Sequence, residues 1–185
     1  ITPYEIQGDL TRKAHQIRHE RQVHFVARFN RPLARIERTS RGFVVRFPGD
    51  GVEHLLLMKI SLSPVSGKNA VLNLERELPD SIWDFAAVRG AALEAWNKRL
   101  EKVELEGGSD DQKRFFYTAF YHTLFHPNVF TDVNGEYVGF DGQVHRAEGY
   151  VHYANYSGWD IYRTWIQWVA MLFPEETSDM IQSLV

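Results

Sequence analysis

Ser109-Asp110-Asp111-Gln112-Lys113-Arg114-Phe115-Phe116-Tyr117-Thr118-Ala119-Phe120-Tyr121-His122-Thr123-Leu124-Phe125-His126-Pro127 carries its own start and stop signals. Ser109 and Gln112 have the spacing of a capping box, in which the hydroxyl accepts the backbone N–H three residues on and the amide reaches back. Asp110 and Asp111 put negative charge in the first turn, where the helix dipole favours it. The pattern predicts a helix to about Phe125, ended by Pro127. Its apolar positions are rings rather than Leu, Ile and Val.

The same habit continues downstream. Asp132-Val133-Asn134-Gly135-Glu136-Tyr137 reads as a hairpin with Asn-Gly at its turn. Ser157 begins a further helix, which Pro174 breaks. Pro174-Glu175-Glu176 opens another, with proline where no N–H is needed. Closely spaced helices with aromatic faces read as the start of a helical toroid or bundle.

Upstream, Phe85, Val88, Ala92, Trp96, Leu100 and Val103 recur at three and four, which puts them on one stripe of a long helix. Asp80 or Ser81 is expected to cap it, and Gly107-Gly108 to stop it. Before about Glu77 the reading is β. Gln22 to Phe29 alternates, with Val23, Phe25, Ala27 and Phe29 on one face. Gly42–Phe47 and His54–Leu62 are further strand candidates around the turn cluster Pro48-Gly49-Asp50-Gly51. So few strands cannot bury both faces of a sandwich. They read as the closing strands of a larger β domain.

The fold expected is therefore α+β, a two-domain fragment. Residues 1–78 are read as the end of a β-sandwich, 79–108 as a helical linker and 109–185 as the start of an (α/α)6 domain. A chain without an initiating Met that ends inside a helical pattern reads as part of a longer polypeptide.

With 185 residues, 44% hydrophobic and 24% charged, the composition is that of an ordinary globular protein. A net charge of -3 does not point to a nucleic-acid partner. Basic residues gather between Arg12 and Arg46, alternating with apolar ones, as on the wet face of strands. The absence of Cys excludes disulfides and zinc-thiolate sites. No apolar run approaches the ~20 residues of a membrane span.

The centre of the aromatic region is Tyr156-Ser157-Gly158-Trp159-Asp160-Ile161-Tyr162-Arg163. It sets an indole beside one carboxylate and one guanidinium. The C–H face of a sugar stacks on such a ring, and its hydroxyls need acceptors and donors in fixed places. On a helix, Asp160 and Arg163 would share one face. Two plainer readings compete: Ser157 and Asp160 form a cap, or Asp160 and Arg163 pair as ions. Trp165 and Trp168 fall on a helical stripe with Val169 and Leu172 and read as core. His122 and His126, at i and i+4, lack the Glu of a zinc-protease signature, and His122 reads as packed in the aromatic helix and bonded to a backbone carbonyl. Asp132-x-Asn134-Gly135 opens like a calcium loop but has Gln143 at the twelfth place, so a turn is preferred.

The run Phe116–Phe130 resembles glycoside hydrolase family 92, the calcium-dependent exo-α-mannosidases. So do Asp132-x-Asn134-Gly135-x-Tyr137-x-Gly139-x-Asp141, Ser157-x-Trp159-Asp160-x-Tyr162-Arg163 and Pro174 through Ser183-Leu184. Upstream, Lys59–Ser66, Ala70, Asn73-Leu74, Glu77 and Trp96-Asn97-x-x-Leu100 also fit. The resemblance implies a β-sandwich, helical linkers and an (α/α)6 toroid. It implies hydrolysis of terminal α-mannose with inversion by an exported bacterial enzyme, secreted or periplasmic, using Ca2+. It assigns Asp160, Arg163 and Trp159 to the terminal mannose. It puts the catalytic carboxylates and the calcium ligands beyond Val185, so no catalytic or metal residue is expected here. The partners implied are a mannose-containing glycan and the rest of the same polypeptide. An α-1,2 linkage leads, with mannose-1-phospho-6-mannose as an alternative substrate. A non-catalytic carbohydrate-binding protein and a structural domain are the remaining alternatives.

Overall fold

The structure, a computed structural model, describes residues 3–13, 20–40 and 42–185. It mixes helices and strands, as an α+β chain should. The chain divides into two compact units, 1–83 with 132–146, and 84–131 with 147–185. Of the basic residues noted above, Arg18 and Arg41 lie outside the described residues.

The first unit is built on an antiparallel sheet in the order β1 (Glu5–Lys13), β2 (Glu20–Phe29), β5 (Met58–Ser63). β3 (Arg35–Thr39) and β4 (Gly42–Arg46) form a separate hairpin. The alternation read over Gln22–Phe29 is the real one. Phe25 pairs with Leu62 and Ala27 with Ile60 on one face, while Val26 pairs with Ser61 on the other. The Phe25 ring lies over Gly8, where a Cβ would sit 2.7 Å from a ring carbon. β5 begins at Met58, four residues later than expected from His54.

The second face of the sheet is covered by a helix that the sequence reading took as β. α1 spans Gly67–Glu77, with Ser66 as its N-cap accepting from the Asn69 N–H. Its inner face is Asn69, Ala70, Asn73 and Leu74. Two asparagines on that face, both poor helix formers, hid the apolar stripe. Ala70, Leu74 and Val26 make the unit's small core. Lys59 Nζ donates to the carbonyls of Leu78 and Pro79 at the helix end and lies over the Trp83 ring at 3.9 Å. Burial holds this ammonium below the usual lysine range. The opposite sheet face stays apolar and exposed at Leu10, Met58, Ile60 and Leu62.

In the second unit α2 runs Phe85–Leu100. Its cap is Asp84, not Asp80 or Ser81, because Pro79 to Ile82 forms a turn first. Phe85 and Val88 of the expected stripe are exposed. The other end carries the packing: Leu100 joins the core and Trp96 meets Tyr121 edge-to-face at 4.5 Å. α3 (Asp110–Thr123) has the full capping box on Ser109 and Gln112. Phe120, Tyr153, Val169, Phe173 and Met180 form the core, with Trp165 and Trp168 packed against it as expected. His122 meets the rings of Tyr121 and Phe125 but is exposed, and among the described residues it makes no hydrogen bond to a backbone carbonyl.

Two local expectations change. Asn134-Gly135 makes a tight turn, with the Gly135 N–H donating to the Asp132 carbonyl, but it does not join two strands. The hairpin pairs β7 (Glu136–Val138) with β8 (Val144–Arg146), so its turn lies at 139–143. The helix expected from Ser157 to Phe173 is two pieces, α4 (Gly158–Ile161) and α5 (Trp165–Leu172), before α6 (Pro174–Gln182).

Candidate functional site

The segment 157–164 is held at both ends and free between them. Before it, β6 (Asn128–Val129) pairs with β9 (Tyr153–Ala154). Tyr153 is buried, and the Tyr156 hydroxyl donates to the Met180 carbonyl at 2.7 Å. Burial pushes both phenols above the usual tyrosine range. After it, the Trp165 indole N–H donates to the Thr123 carbonyl at 2.8 Å, and Val169 is buried. Between these anchors every residue is exposed except Ile161, which is half-buried.

Trp159 is 84% exposed in this stretch. The Asp160 carboxylate accepts from the Ser157 hydroxyl, a side-chain contact and not the cap weighed in the sequence, since Ser157 makes no side-chain cap bond to the helix backbone. Its second oxygen has no partner among the described residues. Arg163 lies beyond the end of α4, so the two polar residues do not share a helix face. The Arg163 guanidinium lies over the Tyr162 ring at 5.2 Å and its Nε donates to the Tyr162 hydroxyl. Among the described residues Asp160 and Arg163 do not pair as ions. The structure thus brings an indole, a carboxylate and a guanidinium into one exposed excursion with donor and acceptor capacity left over.

A cavity of about 450 Å3 in the same unit is lined by Trp96, Phe125, Trp165, Phe173 and Met180, with Arg99 and Glu176 paired at 3.3 Å. Trp159, Asp160 and Arg163 do not line it.

The first unit holds a polar cluster that sequence reasoning missed. Asp132 is only 4% exposed. One carboxylate oxygen accepts from Ser63 Oγ at 2.6 Å and Asn69 Nδ2 at 2.8 Å, the other from Asn73 Nδ2 at 2.7 Å. Asn69 Nδ2 also donates to Glu136 at 2.9 Å, and the Val133 N–H donates to Asn73 Oδ1. Asn69's side-chain amide, then Asn134's, hold the Glu136 carboxyl below the usual range. The available signal was Asn69 and Asn73 at i and i+4, two amides on one helix face beside the Ser of a strand end.

This cluster does not fit a calcium ion. Its donors are amide and hydroxyl hydrogens pointed at the carboxylate, where a cation needs oxygen lone pairs. Among the described residues no three His, Asp or Glu side chains converge as a metal cage. No helix among them is long and apolar enough to cross a membrane.

The sequence profile of the glycosyl hydrolase family 92 catalytic domain matches residues 69–185. A family GH92 alpha-mannosidase from Bacteroides thetaiotaomicron superposes with TM-score 0.84 at 28% identity, over 99% of this chain and 27% of its own. A family GH92 inverting mannosidase from the same organism gives 0.83 at 26%, over 98% and 26%. An uncharacterized secreted glycosidase of Arthroderma benhamiae is 36% identical over 78 residues, 41% of this chain and 10% of that protein. The chain spans about a quarter of the length of the solved structures it matches.

Proposed function

The chain belongs to glycosyl hydrolase family 92, and on that premise we propose that it is part of an inverting, exo-acting α-mannosidase that releases terminal α-linked mannose from glycans, α-1,2 first. The protein is exported. Residues 1–78 end a β-sandwich, 79–108 link, and 109–185 begin the (α/α)6 domain. The open apolar face of the three-stranded sheet supports the first of these, since a second sheet is what such a face packs against.

One observation carries the assignment: an indole 84% exposed beside an exposed carboxylate and a guanidinium, on a segment anchored at both ends. Trp159 stacks on the C–H face of the terminal mannose. Asp160 accepts from its hydroxyls and Arg163 donates to them. Anchoring matters because fixed groups lose less entropy when the sugar binds. Inversion needs an acid for the leaving oxygen and a base for water, ~6.5–9.5 Å apart. Both are placed in the remainder of the polypeptide, as are the residues that would hold a calcium ion, whose chemistry there would be to bind adjacent mannose hydroxyls.

The test uses the intact enzyme on α-1,2-mannobiose and on a mannosyl phosphodiester, with and without chelator. Mannose release from the disaccharide, lost on chelation and restored by Ca2+, is expected. Asp160→Asn should lower kcat/KM at least about tenfold, as loss of a charged hydrogen bond does. Wild-type turnover by a folded Asp160→Asn enzyme removes the sugar clamp. Release from the phosphodiester alone moves the assignment to that bond, and binding without release makes the protein a carbohydrate-binding one.

A further inference from the structure

Thr164 stands between α4 and α5 with φ 52° and ψ -42°. A β-branched residue at positive φ is a steric outlier, because its Cβ crowds the backbone. The Trp165 N–H donates to the Arg163 carbonyl across it, closing a three-residue γ-turn of the rare, strained hand. Sequence alone favours a different path. Ile161, Trp165, Trp168 and Val169 fall on one stripe, and an unbroken helix would carry it without strain.

The anchors explain how the outlier persists. On one side Tyr153 and the Tyr156–Met180 bond hold the chain, and on the other the Trp165–Thr123 bond and buried Val169 do. Strain of this kind survives where the surroundings over-determine it, and it gathers at working sites. Here the surroundings are core and the strained turn lies one residue past Arg163.

We propose that Thr164 is a positioning residue: its positive-φ turn stops the helix after Ile161 and holds Trp159, Asp160 and Arg163 out as a preformed cradle for the sugar. This rests on the mannose-binding reading of those three residues. An unbroken helix would instead carry Arg163 in the register of Asp160 and Trp159, three and four residues back, and fix all three on the face opposite the core stripe in a different mutual arrangement. The Cβ at 164 narrows the backbone to a few wells, and the anchors on either side select the strained one among them. The hydroxyl has no such role: among the described residues no hydrogen bond from it is present.

Two substitutions in the full-length enzyme separate these ideas. Thr164→Gly relieves the strain and frees the backbone. It should leave the melting temperature equal or higher while KM for an α-mannoside rises about fivefold, the equivalent of the roughly 1 kcal/mol that glycine's freedom costs at a fixed position. Thr164→Ala keeps the Cβ and should stay within about twofold of wild type. Asp160→Ala is measured alongside. Unchanged KM in Thr164→Gly, with Asp160→Ala impaired, overturns the positioning role alone. Equal losses in Thr164→Gly and Thr164→Ala overturn it too, by assigning the effect to the side chain. Wild-type behaviour of Asp160→Ala overturns the mannose-binding reading and this one with it. A turn that serves only folding would change the melting temperature and leave KM alone.

Discussion

Replacing Asp132 by alanine should release the hairpin 132–146 from the sheet it docks on. The carboxylate is nearly fully buried and takes three hydrogen bonds, from Ser63, Asn69 and Asn73. Alanine leaves these donors without it, but not equally. Asn69 keeps its second N–H on Glu136, and Asn73 keeps its own on the Leu62 carbonyl. Ser63, at 0% exposure, still accepts from the Val65 and Ser66 N–H groups but loses the acceptor its hydroxyl has among the described residues. Each bond to a charged group is worth about 1.5–3 kcal/mol, and part is returned because the carboxylate no longer has to be dehydrated. The net loss should be about 3–5 kcal/mol.

Asp132→Asn is milder and sharpens the reasoning. Its carbonyl can serve Ser63 and Asn69, but its amide then faces the Asn73 amide, and two donors cannot bond. Asn73 cannot turn to help, because its own oxygen is held by the Val133 N–H. A loss of about 1–3 kcal/mol follows. Native-state hydrogen exchange on the intact protein reads this locally, at the amides of Asp132, Gly135 and Gly139, which bond within the segment. Exchange should quicken by on the order of 10²–10³ in the alanine variant and less in the asparagine one. Wild-type exchange in the alanine variant would refute the account, and so would an asparagine variant worse than alanine.

Two further outcomes follow from the capping and titration of neighbouring groups. Ser109→Ala should destabilise α3 by about 1 kcal/mol, seen as faster exchange at Gln112 and Lys113, with Ser109→Asp restoring it. Glu136 titrates below its ordinary 4.5 in the folded protein, so its contribution is complete above that value and is lost as pH falls through the lower folded value. The stability gap between wild type and Glu136→Gln should therefore be widest near neutrality and close in acid, by denaturation at several pH values. A gap that widens in acid contradicts the Asn69–Glu136 bond.

The sequence by itself determined those elements whose signals are local. Ser109 and Gln112 cap α3 because both partners lie within one turn. The face shared by Val23, Phe25, Ala27 and Phe29 holds because a strand's period is two wherever it sits. The family likeness rested on ordered short motifs, and these too are local. Only the tertiary structure decided the rest. α1 was hidden because its inner asparagines look wet until Asp132, some sixty residues on, arrives to bond them. The helix after Ser157 breaks at Thr164 against its own periodicity, because Tyr156 and Trp165 are tied to different parts of the core. In both places a distant partner outweighs the local preference, and a preference of a few tenths of a kcal/mol per residue cannot resist a buried hydrogen bond worth about 1 kcal/mol or more.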